Sequence, residues 1–240
     1  MRSLSVIIPA FNEEKRLPDT LNKLDDFAGT VRLESLEIVI VDDGSTDGTA
    51  EVVRRRTETD PRFRLLQNWD NCGKGHAVRH GMLEAKGEWR LLMDADLSTP
   101  IAELGKLRRA VVEQGAAVAI GSRALDRSLI ARRQSFFREF GGRFFNVVMR
   151  RITGLPFADT QCGFKLYRAD AAEAIFSRQI LNGFSFDVED MFIARRLGIQ
   201  VAEVPVAWEN AEGTKVNFRS TLRAFGDLVR IRLYARAGRY

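Results

Sequence analysis

The stretch Leu91-Leu92-Met93-Asp94-Ala95-Asp96-Leu97 decides how the rest of the chain is interpreted. An apolar run ends abruptly in two carboxylates separated by one small residue, which is the pattern of a buried strand with acids at its carboxyl end. Open α/β sheets bind their ligands at such strand ends. Two neighbouring carboxylates repel each other unless a cation lies between them, and oxygen ligands favour Mg²⁺ or Mn²⁺ over zinc or copper. A solvated loop is equally compatible with this stretch alone.

The composition is that of an ordinary soluble protein, with 45% hydrophobic and 29% charged residues among 240. This length suits one large α/β domain or two small ones. No apolar stretch approaches the ~20 residues that a membrane-spanning helix needs. The two cysteines, Cys72 and Cys162, lie far apart and form neither a disulfide framework nor a metal knuckle. A reducing, cytoplasmic location is therefore expected.

The net charge of +5 is unevenly distributed along the chain. Residues 123–152 contain eight arginines and two acids, and residues 210–240 contain seven lysines or arginines and two acids. The remainder is acidic. An acidic body with two basic segments differs from a uniformly basic protein, and a nucleic-acid partner is not expected.

Apolar runs alternate with helical patterns through the first half of the chain. Such alternation predicts parallel strands joined by right-handed crossovers, and hence a doubly wound, mostly parallel sheet flanked by helices. The predicted strands are residues 4–9, 36–41, 64–67, 89–93 and 117–120.

Acidic or glycine-rich turns follow three successive strands. They are Asp42-Asp43-Gly44, Asn71-Cys72-Gly73-Lys74-Gly75 and Asp94-Ala95-Asp96. The carboxyl ends of parallel strands meet at one edge, so these turns predict a nucleotide and metal crevice to which Gly73 and Lys74 contribute. The chain contains neither a P-loop nor a G-x-G-x-x-G motif after the first strand, which argues against an ATPase or a dinucleotide dehydrogenase.

Beyond Gly121 the pattern becomes basic and aromatic. Residues 132–152 carry phenylalanines at helical spacing with arginines between them, and a polar loop at 159–163 leads into a short strand. A helix is predicted from Phe186, a strand at 201–206, and a final basic amphipathic helix at 218–236.

Several of these motifs together resemble the inverting family 2 glycosyltransferases of GT-A fold. The residues that carry this resemblance are 6–14, 41–47 and 94–96. Residues 159–165, 186–189 and 208–215 resemble the dolichyl-phosphate β-glucosyltransferases among the polyprenyl-phosphate enzymes. The resemblance implies a GT-A domain at 1–217, with a nucleotide-sugar half at 1–121 and an acceptor half at 122–217, followed by a basic amphipathic helix at 218–240. The Q-x-x-R-W motif of processive synthases is absent, which favours transfer of a single sugar.

The resemblance implies a nucleotide-sugar site at the strand ends. Asp43, or its neighbour Asp42, would recognise the uracil-ribose part, although both are also typical turn-forming residues. Asp94 and Asp96 would hold Mg²⁺ or Mn²⁺ on the diphosphate, where the ion neutralises the departing nucleoside diphosphate. The other implied contacts are Pro9, Ala10 and Glu13 or Glu14.

On the acceptor side, the resemblance implies catalytic roles for Asp159, Asp187 and Glu189. A lipid phosphate has its second pKa near ~6 and hardly needs a strong base, so Asp159 could instead bind sugar hydroxyls or orient the acceptor. Asp187 and Glu189 could likewise bind the sugar, or simply be acids at a helix N-terminus.

Arginines are expected to bind the acceptor phosphate, because guanidinium groups match phosphate geometry. Arg123 and Arg138 correspond to such arginines in related enzymes, and Arg132 and Arg133 are competing candidates for the second position. The basic aromatic helices suit the headgroup region of a membrane. Many relatives carry membrane-spanning helices, so attachment here is expected to be peripheral, at the cytoplasmic face, or through a membrane-protein partner.

The predicted activity is inverting transfer of glucose from UDP-glucose to a polyprenyl (dolichyl- or undecaprenyl-type) phosphate. Alternatives are mannosyl transfer from GDP-mannose and transfer to a soluble or protein acceptor. A non-catalytic basic module binding nucleic acid or membrane would leave the acidic crevice unexplained. His76 and His80, four residues apart, could suggest a metal pair, but a position on the helix surface is favoured because the sequence offers no third ligand.

Overall fold

A seven-stranded sheet forms the centre of the protein. The computed structural model describes residues 1–132, 136–209 and 218–240, and the side chains of 132–141, 143–144 and 218–222 lie outside this description. The strand order is β3-β2-β1-β4-β7-β5-β8, and β6 pairs with β9 separately. The strands are β1 Ser3–Ala10, β2 Ser35–Asp42, β3 Phe63–Gln67, β4 Trp89–Met93, β5 Val118–Ser122, β6 Ile130–Arg132, β7 Phe164–Arg168, β8 Val201–Pro205 and β9 Trp208–Glu209.

Strand β7 is antiparallel to both of its neighbours, whereas the other pairs in the large sheet are parallel. The predicted parallel pairing therefore holds everywhere except at this strand. The loop at residues 159–163 lies at the edge where β4 ends. Strand β7 therefore starts at that edge and runs in the direction opposite to β4. Phe164 consequently pairs with Met93, which brings the 159–163 loop beside Asp94.

Helices cover both faces of the sheet. Side chains alternate along each strand, so Ile38 and Ile40 of β2 join one buried cluster and Val39 and Val41 join the other. The helices are α1 Leu17–Thr30, α2 Thr49–Thr59, α3 Lys74–Glu84, α4 Leu104–Gln114, α5 Phe136–Thr153, α6 Ala169–Phe176, α7 Phe186–Arg196 and α8 Phe218–Arg236.

The first helix begins at Leu17. Asn12 has φ 53°, in the left-handed region, and its backbone N–H donates to Ser45 Oγ. Residues 12–16 therefore form a loop held by the turn after β2. Helix α6 and the β6–β9 pair were not predicted.

Helix α8 has two apolar stripes. Leu228 and Ile231 are fully buried against the core, while Val229 and Leu233 on the opposite side are about half exposed. Residues 223–240 contain five arginines and one acid. Among the described residues, none of the helices combines the length and apolarity that crossing a bilayer takes.

Candidate active site

The loops after β2 and β3 are joined through Asp43, which is nearly fully buried. Its Oδ2 accepts a hydrogen bond from the Gly73 N–H (2.8 Å), and its Oδ1 accepts one from the Cys72 N–H (3.2 Å). Asn68 Nδ2 also donates to Oδ1, at 2.7 Å. The predicted meeting of two strand-end turns at one sheet edge is therefore confirmed.

Lys74 connects the third turn to this edge. Its Nζ lies 2.7 Å from Asp94 Oδ1. Burial lowers the pKa of Lys74, but the charges of Asp94, Asp187 and Asp96 outweigh burial and raise it above its ordinary value. A Cβ on neighbouring Gly75 would lie 2.6 Å from the Leu181 carbonyl oxygen, so the backbone is tightly packed here. Lys74 is thus a fixed cation at the start of α3.

Asp94 and Asp96 follow β4 directly and are partly exposed. Asp96 Oδ1 accepts from the Ser98 N–H at 2.9 Å, which turns the chain after the pair. Leu97 has φ 51°, an uncommon conformation for a leucine and one that concentrates at functional sites. The two side chains offer carboxylate oxygens, and this donor set fits Mg²⁺ or Mn²⁺.

Gly163 brings the 159–163 loop into contact with Asp94. A Cβ at position 163 would lie 2.1 Å from Asp94 Oδ2, closer than any real carbon–oxygen contact. Any larger residue at position 163 would therefore force the Asp94 carboxylate to shift. The sequence motif predicted that the loop belongs to the site, and the structure supplies the reason for the glycine.

Asp159, in the same loop, forms a two-pronged ion pair with Arg123. The Nε–Oδ2 distance is 2.6 Å and the Nη2–Oδ1 distance is 2.9 Å. Burial raises the pKa of Asp159, but the charge and hydrogen bonds of Arg123 outweigh burial and hold it below its usual range. Glu203 accepts from the Asp159 N–H at 2.8 Å, and the Arg123 guanidinium lies 5.6 Å from the centre of the Trp208 ring. Asp159 is thus an ionised, oriented carboxylate.

Asp187 is held from behind by a buried lysine. Lys165 Nζ lies 2.5 Å from Asp187 Oδ1 and 3.2 Å from Asp190 Oδ2, and Tyr167 Oη donates to Asp190 Oδ2 at 2.6 Å. Sequence reasoning missed Lys165, Tyr167 and Asp190. The alternation in β7, which places Lys165 and Tyr167 on one face, and the three-residue spacing of the two aspartates in α7 could have revealed them.

Glu189 accepts hydrogen bonds from the backbone and from one tyrosine. Its two oxygens accept from the N–H groups of Ile180 (3.1 Å) and Leu181 (2.8 Å), and Tyr240 Oη donates to it at 2.7 Å. Because the Leu181 carbonyl faces Gly75, Glu189 braces the loop behind Lys74. Its catalytic role stays a prediction.

The remaining predicted nucleotide contacts surround the end of β1. Pro9 and Ala10 close that strand. Glu13 pairs with Arg16 at 2.7 Å, and Glu14 Oε2 accepts from the Gly48 N–H at 3.1 Å. These acids fix the surrounding loops, and their contact with a nucleotide stays a prediction.

Asp42 is fully buried beneath the turn after β2. It accepts from the Ser45 N–H (3.0 Å) and from Gln67 Nε2 (3.1 Å), which are turn-stabilising contacts. The predicted acceptor-phosphate residues Arg132, Arg133 and Arg138 have side chains outside the described residues.

Asn68 organises the loop after β3. Its Nδ2 lies 3.2 Å from His76 Nδ1, and its Oδ1 lies 2.9 Å from His80 Nδ1, so one amide contacts both histidines. The adjacent Trp69 has 101% relative exposure. The two histidines are therefore partly covered residues that share one amide, and their rings lie edge to face with centroids 6.4 Å apart.

Comparison with known proteins agrees with this arrangement. The model of the family described as glycosyl transferase family 2 matches residues 5–176. A dolichyl-phosphate β-glucosyltransferase of Mus musculus is 38% identical over 245 residues, covering 97% of this chain and 75% of the relative. The Dictyostelium discoideum protein of the same name is 36% identical over 241 residues, covering 95% and 73%.

Solved structures share the fold. Mannosyl-3-phosphoglycerate synthase from Rubrobacter xylanophilus has a TM-score of 0.71 at 18% identity, covering 99% of this chain and 75% of that one. Glucosyl-3-phosphoglycerate synthase from Mycobacterium tuberculosis, in complex with UDP, has a TM-score of 0.68 at 18% identity, covering 99% and 80%. The predicted GT-A architecture is thus confirmed. With its strand-end acids, its loop on Asp94 and these matches, the chain belongs to glycosyl transferase family 2 and is a glycosyltransferase.

Proposed function

We propose that the protein transfers glucose from UDP-glucose to a polyprenyl or dolichyl phosphate, with inversion at the anomeric carbon. The observation that carries this proposal is the contact between Asp94 and the loop of Asp159, enforced by Gly163. This contact brings the proposed metal-binding carboxylate next to the ion pair of Arg123 and Asp159, which supports a cation-bound diphosphate beside an anion-binding group. One side suits the nucleotide sugar, and the other suits an anionic acceptor.

On the donor side, Asp94 and Asp96 would hold the metal ion. When bound, such an ion acts as a Lewis acid that neutralises charge on the diphosphate. Lys74 adds a further positive charge at the same edge, and the N-terminus of α3 favours anions. Asp43 holds the loop that carries Lys74, so it positions the donor side whether or not it also contacts the uridine.

On the acceptor side, Arg123 supplies charge for a phosphate and Asp159 fixes the guanidinium. A phosphate oxygen of the acceptor forms the new bond to the anomeric carbon, while the bond from that carbon to the UDP oxygen breaks and UDP leaves with the electron pair. The acceptor phosphate is largely ionised at neutral pH, so no base is required for this step. We include Asp187, which is buried and paired with Lys165, as a residue that binds sugar hydroxyls.

The names of the relatives support the choice of glucose and dolichyl phosphate. The two relatives described above are 36–38% identical over nearly the whole chain, and both are named for that transfer. The UDP complex of the M. tuberculosis structure supports the uridine donor only at the level of fold.

A lipid acceptor also requires access to a membrane surface, and we include peripheral attachment in the proposal. Val229 and Leu233 form an exposed apolar stripe on α8, flanked by exposed Arg232 and Arg236. Asp227, one residue before the buried stripe, accepts from Ser185 Oγ at 2.9 Å, next to the helix that carries Asp187. Attachment at the cytoplasmic face agrees with two unpaired cysteines, and a membrane-protein partner would serve the same purpose.

The decisive experiment incubates the purified protein with a panel of labelled nucleotide sugars, polyprenyl phosphate and Mg²⁺ or Mn²⁺. We expect label from UDP-glucose in the organic phase and none with Asp94→Asn. Lipid-linked label from GDP-mannose alone would mean that the transferred sugar is mannose rather than glucose. The absence of lipid-linked label with every donor would refute the proposal.

Membrane attachment has its own test in co-sedimentation with anionic and neutral vesicles at low and high salt. We expect binding to anionic vesicles that weakens as salt rises, because basic residues near an anionic surface contribute about 1 kcal/mol each. Leu233→Asp, which interrupts the exposed apolar stripe, should also weaken binding. Val112→Asp, at an exposed valine of α4, is the matched control. Equal sedimentation of both variants would contradict docking through α8.

A further inference from the structure

A second cluster of metal-ligating side chains lies beside the nucleotide edge. Asp43, Cys72 and His76 place one ligand atom each within 4.8 Å of one another. They come from the end of β2, the loop after β3 and the first turn of α3. Cys72 is an exposed free thiol, whereas Asp43 is buried.

Two of these side chains are already oriented. The Asp43 carboxylate is fixed by Asn68 Nδ2 (2.7 Å) and by the N–H groups of Cys72 and Gly73. The same Nδ2 contacts His76 Nδ1 at the longer distance of 3.2 Å. The Asp43 carboxylate is thus held by outer hydrogen bonds, as ligands in metal sites usually are, whereas zinc at His76 would take the Nδ1 that now accepts from Asn68 or require the other ring tautomer. The third ligand, Cys72, is anchored by its backbone while its thiol is exposed.

We propose that Asp43, Cys72 and His76 form a site for Zn²⁺. Thiolate, imidazole and carboxylate together suit zinc, and three protein ligands leave the fourth tetrahedral position for water. Ligand atoms around a tetrahedral zinc lie roughly 3.5 Å apart, so a small movement of the exposed Cys72 side chain closes the site. Binding forms a zinc–sulfur bond and releases the thiol proton to solvent.

This chemistry differs from that of Asp94 and Asp96. Their oxygen-only donor set favours hard cations, whereas the sulfur of Cys72 selects against Mg²⁺. The protein would therefore carry two cation sites of different selectivity, both within reach of the loop at residues 71–75.

The functional consequence rests on the proposed function. If Asp43 contacts the uridine of the donor, zinc and nucleotide compete for the same carboxylate. Zinc bound at Asp43 would then inhibit donor binding, and a saturating nucleotide would expel zinc.

The site is tested on the full chain, without any donor, by titrating Zn²⁺ against a chromophoric chelator and Cd²⁺ by thiolate charge-transfer absorption. We expect one tight equivalent of zinc and a cadmium–thiolate band, with Cys72→Ser and His76→Ala each weakening zinc binding more than about tenfold. His80→Ala is the matched control, because His80 also contacts Asn68 but lies outside the ligand set. Equal zinc affinity of Cys72→Ser and the unmodified chain, or no cadmium band, overturns the proposal.

The competition is tested separately by repeating the zinc titration at saturating UDP. We expect the apparent zinc affinity to fall by at least about tenfold. If the protein binds UDP and its zinc affinity is unchanged, zinc and UDP do not compete. The existence of the zinc site is then decided by the cadmium experiment alone. A chain that binds no nucleotide refutes the proposed donor, and the cadmium result still decides the zinc site.

Discussion

Lys165 Nζ lies 2.5 Å from Asp187 Oδ1 in the interior of the protein, and both side chains are almost completely shielded from water. Asp190 shares the same ammonium group at 3.2 Å. Two buried acids thus share one lysine, and burial raises the pKa of Asp190 to about 7, although Lys165 acts in the opposite direction. The cluster joins β7, which borders the strand of Asp94, to the helix that carries Asp187.

Removing the lysine should be severely destabilising. Lys165→Met leaves two buried carboxylates without their counter-charge, and we expect the free energy of unfolding to fall by about 3–5 kcal/mol. Urea denaturation measures this change. Lys23→Met, which breaks an exposed pair with Asp19, is the control and should change stability by less than about 1 kcal/mol. Equal effects of the two substitutions would contradict the structural role of Lys165.

The stability of the protein should depend on pH through Asp190. Its folded-state pKa of about 7 lies above the unfolded value of about 3.9, so the folded state binds more protons between these limits. The free energy of unfolding should therefore decrease as pH rises from about 4 to about 7, by up to about 1.4 kcal/mol per unit. Asp190→Asn should flatten this slope in urea titrations at several pH values. An unchanged slope would refute the assignment.

Gly163 should matter more for catalysis than for folding. Gly163→Ala forces Asp94 to move by about 1 Å, a displacement that typically costs about a hundredfold in rate. We expect kcat/KM and Mn²⁺ affinity to fall while the melting temperature changes little. Gly105→Ala, at a helical glycine with open space around it, should leave Mn²⁺ affinity unchanged. Full Mn²⁺ affinity in Gly163→Ala would contradict the role of this contact.

Asp159 should affect the acceptor more than the donor. Asp159→Asn keeps the shape of the side chain but removes the charge that orients Arg123. We expect kcat/KM for polyprenyl phosphate to fall more than about tenfold while the dissociation constant of UDP stays the same, because charge-assisted pairs fix guanidinium geometry. Calorimetry with UDP and steady-state kinetics separate the two effects. Weaker UDP binding together with an unchanged kcat/KM for polyprenyl phosphate would assign Asp159 to the donor side instead.

Glu189 distinguishes a positioning role from a catalytic one. Glu189→Gln weakens the acceptor that holds the Ile180 and Leu181 N–H groups, so we expect a loss of stability of about 1–3 kcal/mol. The loop behind Lys74 would loosen, and the KM for the donor should rise more than kcat falls. A lost kcat with unchanged donor KM and stability would instead support the catalytic prediction.

The sequence predicted most of what depends on local pattern. The alternating strands, the three strand-end turns and the acidic pair at Asp94 and Asp96 follow from hydrophobic periodicity and turn chemistry. Helix α8 was predicted at residues 218–236, the range that the structure shows. Such features depend on residues that are close together in the sequence, so they can be predicted from the sequence alone.

What the sequence did not reveal depends on contacts between distant segments. Strand β7 is antiparallel because the preceding loop ends at the carboxyl edge of β4, and no local sequence pattern predicts where that loop ends. Glu189 has the appearance of a site acid, yet it binds the backbone eight and nine residues before it. Likewise, Cys72 and His76 gain a neighbouring carboxylate only because Asp43 closes the loop between strands.

Trp69 projects fully into solvent from the loop that Asn68 ties to Asp43, whereas Trp89 and Trp208 are partly covered. Indole emission shifts and brightens when water leaves the ring. The fluorescence spectrum of the unlabelled protein should therefore be dominated at its red edge by this one side chain, which stands two positions after Gln67 and three before Cys72. We expect any ligand that covers this ring to shift the emission, a change that fluorescence can follow without attaching a dye or altering a residue.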